Sequence, residues 1–455
     1  MAALEALLAL RELAGHRLEL TLLSPEREFQ YRPVTVAEAF DRGEARSYDL
    51  AGIVVNHVGG RIVWGSLIEV DPNNHVAITD AGDQIPFDSL VIATGAIMRE
   101  ALPGALTFRG RADVSALRGM LGELEAGTAR SIVLALPAQR MWTLPIYELA
   151  LMTAAYLRER GADAVKVSVV TPEEEPLELF GPVATKAISP LLHARGIVVR
   201  TSSLPALLRG RALLLAGSGE VYTDKVIALP QLEGPRLPGL PHDHHGFIPV
   251  DVHGRVSDVD DVYAAGDVTT FPLKQGGLAA QQADAVAEMV AAELGVPIAP
   301  APFRPVLRGL LMTGGAPLYL RADPQLLARA STVAVDARRL HLTRGETSSA
   351  AGQPLWWPPA KIAARYLAPY LATARPQPLS SRLLADRAAA GGPPVSDLEH
   401  ADALELALLL ADCDARWGDY RSALQALDAA EALQGALPPE YEAKRREWRA
   451  AERGA

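Results

Sequence analysis

Val262-Tyr-Ala-Ala-Gly-Asp-Val-Thr-Thr-Phe-Pro-Leu-Lys-Gln-Gly-Gly-Leu-Ala-Ala-Gln-Gln-Ala-Asp284 is the stretch from which the fold is read. An apolar run of strand type ends at Gly266-Asp267, a glycine-containing loop follows, and a long helix-forming segment comes next. In an open α/β sheet, a strand end that offers a carboxylate beside a helix N-terminus is where ligands bind. The carboxylate can hold a sugar hydroxyl, and the first helical amides can hold a phosphate or a ring carbonyl. An ordinary strand-turn-helix with Asp267 as its cap has the same pattern. Taken alone, the stretch leaves both readings open.

Phe87-Asp-Ser-Leu-Val-Ile-Ala-Thr-Gly-Ala96 is a second apolar strand, ending in Ala93-Thr94-Gly95. In this order, with another nucleotide-type unit between them, the two motifs resemble the flavin-binding signatures of the FAD-dependent pyridine nucleotide-disulfide oxidoreductase superfamily. The resemblance implies that Ala93-Thr94-Gly95 closes the first part of a flavin domain. It implies that Gly266-Asp267 closes the second, with Asp267 on the ribityl chain. The pattern is closest to sulfide:quinone oxidoreductases and type II NADH dehydrogenases, and it extends over residues 1–375. The fold class implied is α/β: two dinucleotide-binding (Rossmann-like) domains, a short α+β C-terminal domain and a helical tail. The expected divisions are a first flavin part over 1–105, an NAD(P)-binding-like domain over 106–228 and a second flavin part over 229–298. A C-terminal domain over 299–375 and a linker and tail over 376–455 follow.

The 455 residues are enough for two or three domains. A net charge of −10 argues against nucleic acid as a partner. Cys413 is the one cysteine, which excludes an internal disulfide and any CxxC redox pair, and suits a reducing compartment. No uninterrupted apolar run reaches about 18 residues, so no transmembrane segment is expected. The N-terminus shows no signal peptide. The expected location is cytoplasmic, with peripheral membrane attachment as the alternative.

From the start of the chain, Ala2 to Leu13 is strongly helical, Gly15 stops it, and Arg17 to Leu23 reads as a strand. The expected order lacks the first strand and the glycine-rich loop that carries a pyrophosphate. The expectation is that both are encoded upstream of Met1, the alternative being a true start at Met1 with a degenerate fold. Ser24 stands where the dinucleotide pattern wants a ribose-binding acid, and Glu26 comes two residues later. Arg32, in Phe29-Gln-Tyr-Arg-Pro33, can reach a phosphate or belong to a plain surface loop. Ile62 to Thr79 reads as a hairpin-like meander around Asp71-Pro-Asn-Asn74.

A second nucleotide-type unit begins at Ser131-Ile-Val-Leu-Ala-Leu136, with a helix from Ile146 to Ala155 and a strand from Val165 to Val170. The loop between the first strand and the helix, Pro137 to Pro145, has no glycine. Met141-Trp142 and two prolines obstruct a pyrophosphate and remove amide donors. NAD(P)H is therefore not expected to bind there, and Glu148 is expected to pack near the flavin instead. The loop resembles its counterpart in sulfide:quinone oxidoreductases and flavocytochrome c sulfide dehydrogenases. Those proteins place redox cysteines around the flavin, and this chain has none there. His242, His244, His245 and His253 lie in loops without a cysteine or acidic scaffold, so no metal site is expected.

The resemblance places Lys274-Gln275-Gly276 beside the isoalloxazine, where Lys274 at the N1–C2=O edge stabilises the reduced anion. The cofactor-binding set is thus Ser24, Arg32, Ala93, Thr94, Gly95, Gly266, Asp267, Lys274, Gln275 and Gly276. Leu355 to Leu367 resembles the closing helix of the C-terminal domain, with Trp356 and Trp357 in its core. Trp417 to Leu427 resembles one tetratricopeptide-type hairpin, and Pro438-Pro439 opens a last helix. One hairpin cannot bury its own apolar face, so the tail packs on the body or docks a protein partner. The expected function is an FAD-dependent oxidoreductase passing electrons from a reduced donor to a small-molecule or quinone acceptor. No side chain offers a covalent or disulfide relay. The rivals are a flavin-fold docking module without catalysis and a peripheral membrane dehydrogenase that reduces quinone.

Overall fold

The computed structural model describes residues 1–138, 141–217, 219–315, 317–322, 346–347, 361, 364–373, 408, 411, 420, 423–424, 427–428, 430–431 and 436–454. The expectations for Trp356, Trp357, Cys413, Trp417 and the linker lie outside them.

The central unit is a five-stranded parallel sheet. Its spatial order is Leu106–Thr107, Lys225–Ala228, Ser131–Ala135, Lys166–Val170, Val198–Arg200. The strand Ser131–Ala135 is apolar at almost every position because both its faces are covered. Ile132 and Leu134 point into the main core with the helices Val114–Glu125 and Leu144–Glu159. Val133 and Ala135 point the other way, onto Leu102 and onto Leu213 and Leu215 of an antiparallel three-stranded layer. Leu117, Leu121 and Leu124 bury one helical stripe. Pro145 sits in the first turn of its helix, where a missing amide costs nothing.

The outer unit is held by two alanine-rich helices, Ala2–Ala14 and Gly276–Glu293. Ala2, Ala6 and Ala9 face Ala279, Ala283, Val286 and Ala287, so the helices pack closely. Two parallel strand pairs lie beside them: Thr21–Ser24 with Arg61–Trp64, and Leu90–Ile92 with Val262–Ala264. The sequence predicts the first of these strands from Arg17 and puts residue 62 in the meander; both expectations need correction. Gly15, His16 and Arg17 form a 3-10 turn, pinned by Arg11 to the Val58 carbonyl at 2.5 Å, and the strand starts at Thr21. Arg61–Trp64 joins the parallel pair, which leaves Leu67–Asp71, Val76–Thr79 and Gln84–Pro86 as the meander.

Leu307–Leu311 then pairs antiparallel with Leu318–Ala322. Among the described tail residues, Ala411, Ala423, Leu427, Leu437 and Trp448 form their own apolar cluster, closed by the helix Pro439–Gly454. Arg445 on that helix pairs with Asp428 and with Glu431, the latter at 2.7 Å.

Candidate functional site

The two motifs that lie far apart in the chain meet in space. Leu90–Ile92 and Val262–Ala264 run parallel with Ile92 opposite Ala264. Ala93-Thr94-Gly95 and Gly266-Asp267 therefore leave the same sheet edge side by side. Gly266 has φ +84°, and a Cβ there would lie 3.1 Å from that of Ala279 and 3.3 Å from that of Ala2. Only glycine lets both helices close on this turn. The Gly266 N–H donates to Gln282 Oε1 at 2.7 Å, and Thr269 Oγ1 donates to the Gly266 carbonyl at 3.0 Å. The turn is fixed before any ligand arrives.

Asp267 does not cap the helix that follows. Gln275 is the cap: its Oε1 accepts the Leu278 N–H at 2.8 Å, and its Nε2 donates to the Arg308 carbonyl at 3.2 Å. The capping alternative for Asp267 is thereby corrected, and the reason is the length of the intervening loop. Its carboxylate instead faces a cavity of about 1760 Å³, above the range of about 300–1,000 Å³ typical of drug-sized ligand pockets. All ten residues selected from the sequence line that cavity, from Ser24 and Arg32 through Gly95 to Gly276. The Ser24 hydroxyl is also engaged in its own turn, with the Glu26 N–H at 3.2 Å.

The cavity wall carries opposed buried charges. Burial raises the Asp267 carboxyl, against the pull of Lys274, the amino terminus and Arg32. Burial lowers the Lys274 ammonium to about 8, against Asp267 and Asp243. Lys274 Nζ donates to the Thr269 carbonyl and stands 3.8 Å from the Phe247 ring centre.

Lys361 is the wall residue that sequence reasoning missed. Its Nζ bonds both Glu148 oxygens, at 2.6 and 2.7 Å, and the Pro33 carbonyl at 2.9 Å. Glu148 also accepts the Met312 N–H at 2.9 Å. Both side chains are sealed from bulk water yet line the cavity. Burial pushes both toward their neutral forms, and the mutual pairing opposes this. The available signal was a lone lysine in an apolar, proline- and tryptophan-rich stretch.

The loop of the central unit is filled by its own side chains. The Trp142 ring meets Phe180 edge-on at 5.6 Å, and both crowd Gly309. Glu173 follows the second strand of this unit, where a dinucleotide fold presents an acid to ribose. Here it is buried instead. Glu173 Oε2 accepts Tyr147 Oη at 2.6 Å and Thr171 Oγ1 at 2.9 Å, and burial pushes its carboxyl up to about 7.

A pyridine nucleotide-disulphide oxidoreductase family profile matches residues 149–287. No curated protein sequence matches the chain. Among solved structures, the sulfide:quinone oxidoreductase of Aquifex aeolicus is 20% identical, with a TM-score of 0.65 over 71% of this chain and 82% of that one. A ferredoxin reductase from Rhodopseudomonas palustris is 16% identical, with a TM-score of 0.55 over 71% and 80%. An NAD-dependent persulfide reductase from A. fulgidus is 16% identical, with a TM-score of 0.51 over 72% and 64%. At these identities the likeness is one of fold, and it agrees with the Rossmann-like α/β class read from the sequence.

Proposed function

We propose, from the match of residues 149–287 to a pyridine nucleotide-disulphide oxidoreductase family profile and from the site's geometry, that the chain is an FAD-dependent oxidoreductase delivering electrons to a small apolar acceptor of the quinone class. The observation that carries this reading is the Gly266-Asp267 turn: a glycine no other residue can replace, beside a buried carboxylate at the wall of a dinucleotide-sized cavity. These residues fit FAD. Asp267 and Gly95 would hold the ribityl chain and the turn beside it, and Arg32 would face the diphosphate. The Gly276 amide and Lys274 would face the ring carbonyl edge. FAD, when bound, supplies a carrier for two electrons. The chain's own residues orient it, keep water out and hold protons. Lys361 and Glu148 offset each other's charge, so the wall there offers hydrogen-bonding groups without net charge.

An apolar acceptor suits the apolar part of the lining, to which Met141, Trp142, Phe271 and Leu310 belong. The quinone class is also that of the Aquifex aeolicus enzyme with the same fold. No described helix is long and apolar enough to cross a membrane, so a membrane quinone would be met from the surface. The experiment is FAD loading of Asp267→Ala, read from the flavin absorption band, with circular dichroism to follow the fold. The variant should lose bound FAD and keep its secondary structure. Stoichiometric flavin in a folded Asp267→Ala protein would overturn the assignment.

FAD binding should also depend on pH through Lys274. Burial holds its pKa near 8, below the ordinary lysine range. A ring carbonyl oxygen that accepts a hydrogen bond from the ammonium favours its charged form and raises that value, so binding takes up a proton. Affinity should be highest below pH 8 and fall, by up to about tenfold per pH unit, as pH rises above it. Dissociation constants from quenching of flavin fluorescence measure the slope. Lys274→Met should bind more weakly at neutral pH and show no slope; the same slope in that variant would assign the proton elsewhere.

A further inference from the structure

Two carboxyl groups with no place in the cavity meet between the alanine-rich helices. Glu5, on Ala2–Ala14, is fully buried. Its Oε1 accepts the Tyr366 N–H at 2.8 Å and its Oε2 accepts the Leu367 N–H at 2.7 Å. Burial raises the Glu5 carboxyl, and the backbone amide on each oxygen opposes this by favouring the anion. Asp284, on Gly276–Glu293, lies against the Glu5 side chain, close enough for the two carboxyl groups to share a hydrogen bond. Its Oδ1 is sealed from solvent and has no partner among the described residues. Two carboxyl groups share a hydrogen bond only when one of them keeps its proton. Glu5 uses both oxygens as acceptors, so Asp284 is the donor.

The amides that Glu5 engages open the helix Leu367–Thr373, which follows Lys361 in the chain. At one end of this segment Lys361 is bound to Glu148 and the Pro33 carbonyl. At the other, Leu367, Ala368 and Leu371 are buried, and the Tyr370 ring stands 4.5 Å from that of His57. The charged groups facing the pair are Arg365 on the segment and Glu288 one turn along from Asp284, themselves 3.3 Å apart. Arg365 is thus shared, and offsets only part of the acidic charge.

We propose that the described residues of 361–373 are a strap latched by one proton shared between Glu5 and Asp284, so that rising pH releases the strap and draws Lys361 away from the cavity wall. Deprotonating Asp284 leaves two carboxylates in contact inside the fold, an arrangement that like charges at this distance do not tolerate. Opening the strap admits water to both. Burial first, and then the mutual repulsion, holds the Asp284 carboxyl well above the usual carboxylate range. A group whose pKa is raised by folding lends stability at low pH and withdraws it as pH climbs through the raised value. The latch is therefore closed at low pH and opens as pH climbs through the raised value of the Asp284 carboxyl. Nothing in this proposal depends on which cofactor fills the cavity.

Trypsin reads the latch directly, because Lys361 and Arg365 are cleavage sites inside the strap. Initial cleavage rates after these residues are measured on the full chain by mass spectrometry. Each is divided by the rate for a free peptide of the same sequence at the same pH. In the wild type the ratio should climb by up to about tenfold per pH unit once Asp284 begins to lose its proton. Asp284→Asn keeps a donor that does not titrate, and its ratio should stay low and flat. Glu5→Gln loses the anion that holds two amides, and its ratio should be high throughout. A flat ratio in the wild type, or the same climb in Asp284→Asn, overturns the latch. If Asp284→Asn does not fold, exchange protection of the Tyr366 and Leu367 amides in the wild type, corrected for intrinsic rates, takes its place. Protection that does not fall across the pH range in which the cleavage ratio rises overturns the latch equally.

Discussion

Lys361→Met is expected to unfold in urea about 3–5 kcal/mol more easily than the wild type, the cost of leaving one partner of a buried ion pair alone. The stranded partner is Glu148, which keeps the Met312 N–H but loses its cation and two hydrogen bonds. Its carboxyl is already raised by burial with Lys361 present. Without the ammonium it rises further, and the protein can recover by taking up a proton. The deficit should therefore be largest at neutral pH and shrink as pH falls through the raised value, because the neutral acid is the form burial favours. The double variant Lys361→Met, Glu148→Gln should regain most of the loss. Its side-chain amide still offers a carbonyl oxygen to the Met312 N–H, and no charge is left unpaired. A single variant within about 1 kcal/mol of wild type, the level of an exposed pair, would show that this pair is not sealed.

That pair marks the limit of what the sequence could tell. Gly266-Asp267 and Ala93-Thr94-Gly95 were legible because each is a local signal: a strand of apolar residues, a glycine that needs positive φ, and a short polar end. Their adjacency follows once both strands enter one parallel sheet with Ile92 beside Ala264. The alternation that sends Ile132 and Leu134 to one core and Val133 and Ala135 to another was hidden, since a strand covered on both faces shows no period of two. Buried polar residues were the least legible. Glu5 in an apolar helix reads as a solvent-facing charge until the Tyr366 and Leu367 amides are seen against it. Gln281 and Gln282 interrupt an alanine-rich helix for a reason the sequence does not state. One bonds the Val306 backbone through both its amide groups, and the other holds the Gly266 turn. Such partners are set by tertiary contact, and no local pattern encodes their distance. The strand from residue 61 reads as part of the meander for the same reason: short β signals do not announce their neighbours.

Anaerobic mixing of the FAD-loaded protein with NADH or NADPH should leave the flavin oxidised, with no saturable phase in a stopped-flow trace. The central unit keeps the strand order of a nucleotide-binding fold, so the expectation rests on its loop alone. A dinucleotide needs backbone amides and close approach where the first strand enters its helix, which is the work of glycines. This chain puts Pro137, Met141, Trp142 and Pro145 there, and the Trp142 ring is packed on Phe180 and Gly309. The ribose acid is spent as well: Glu173 holds Tyr147 and Thr171 inside the fold. A nicotinamide reaching the cavity from outside would lack the alignment worth about 10²-fold in rate for each ångström of misplacement. Dithionite, which needs no binding site, should bleach the same sample at once and so shows that the flavin is competent. Saturable bleaching by either nucleotide would mean that the loop rearranges to expose amides around the pyrophosphate. Trp142→Gly decides how much of the block is steric. Removing the ring opens the space against Phe180 but restores no amide to Pro137 or Pro145, so that variant too should show no saturable reduction.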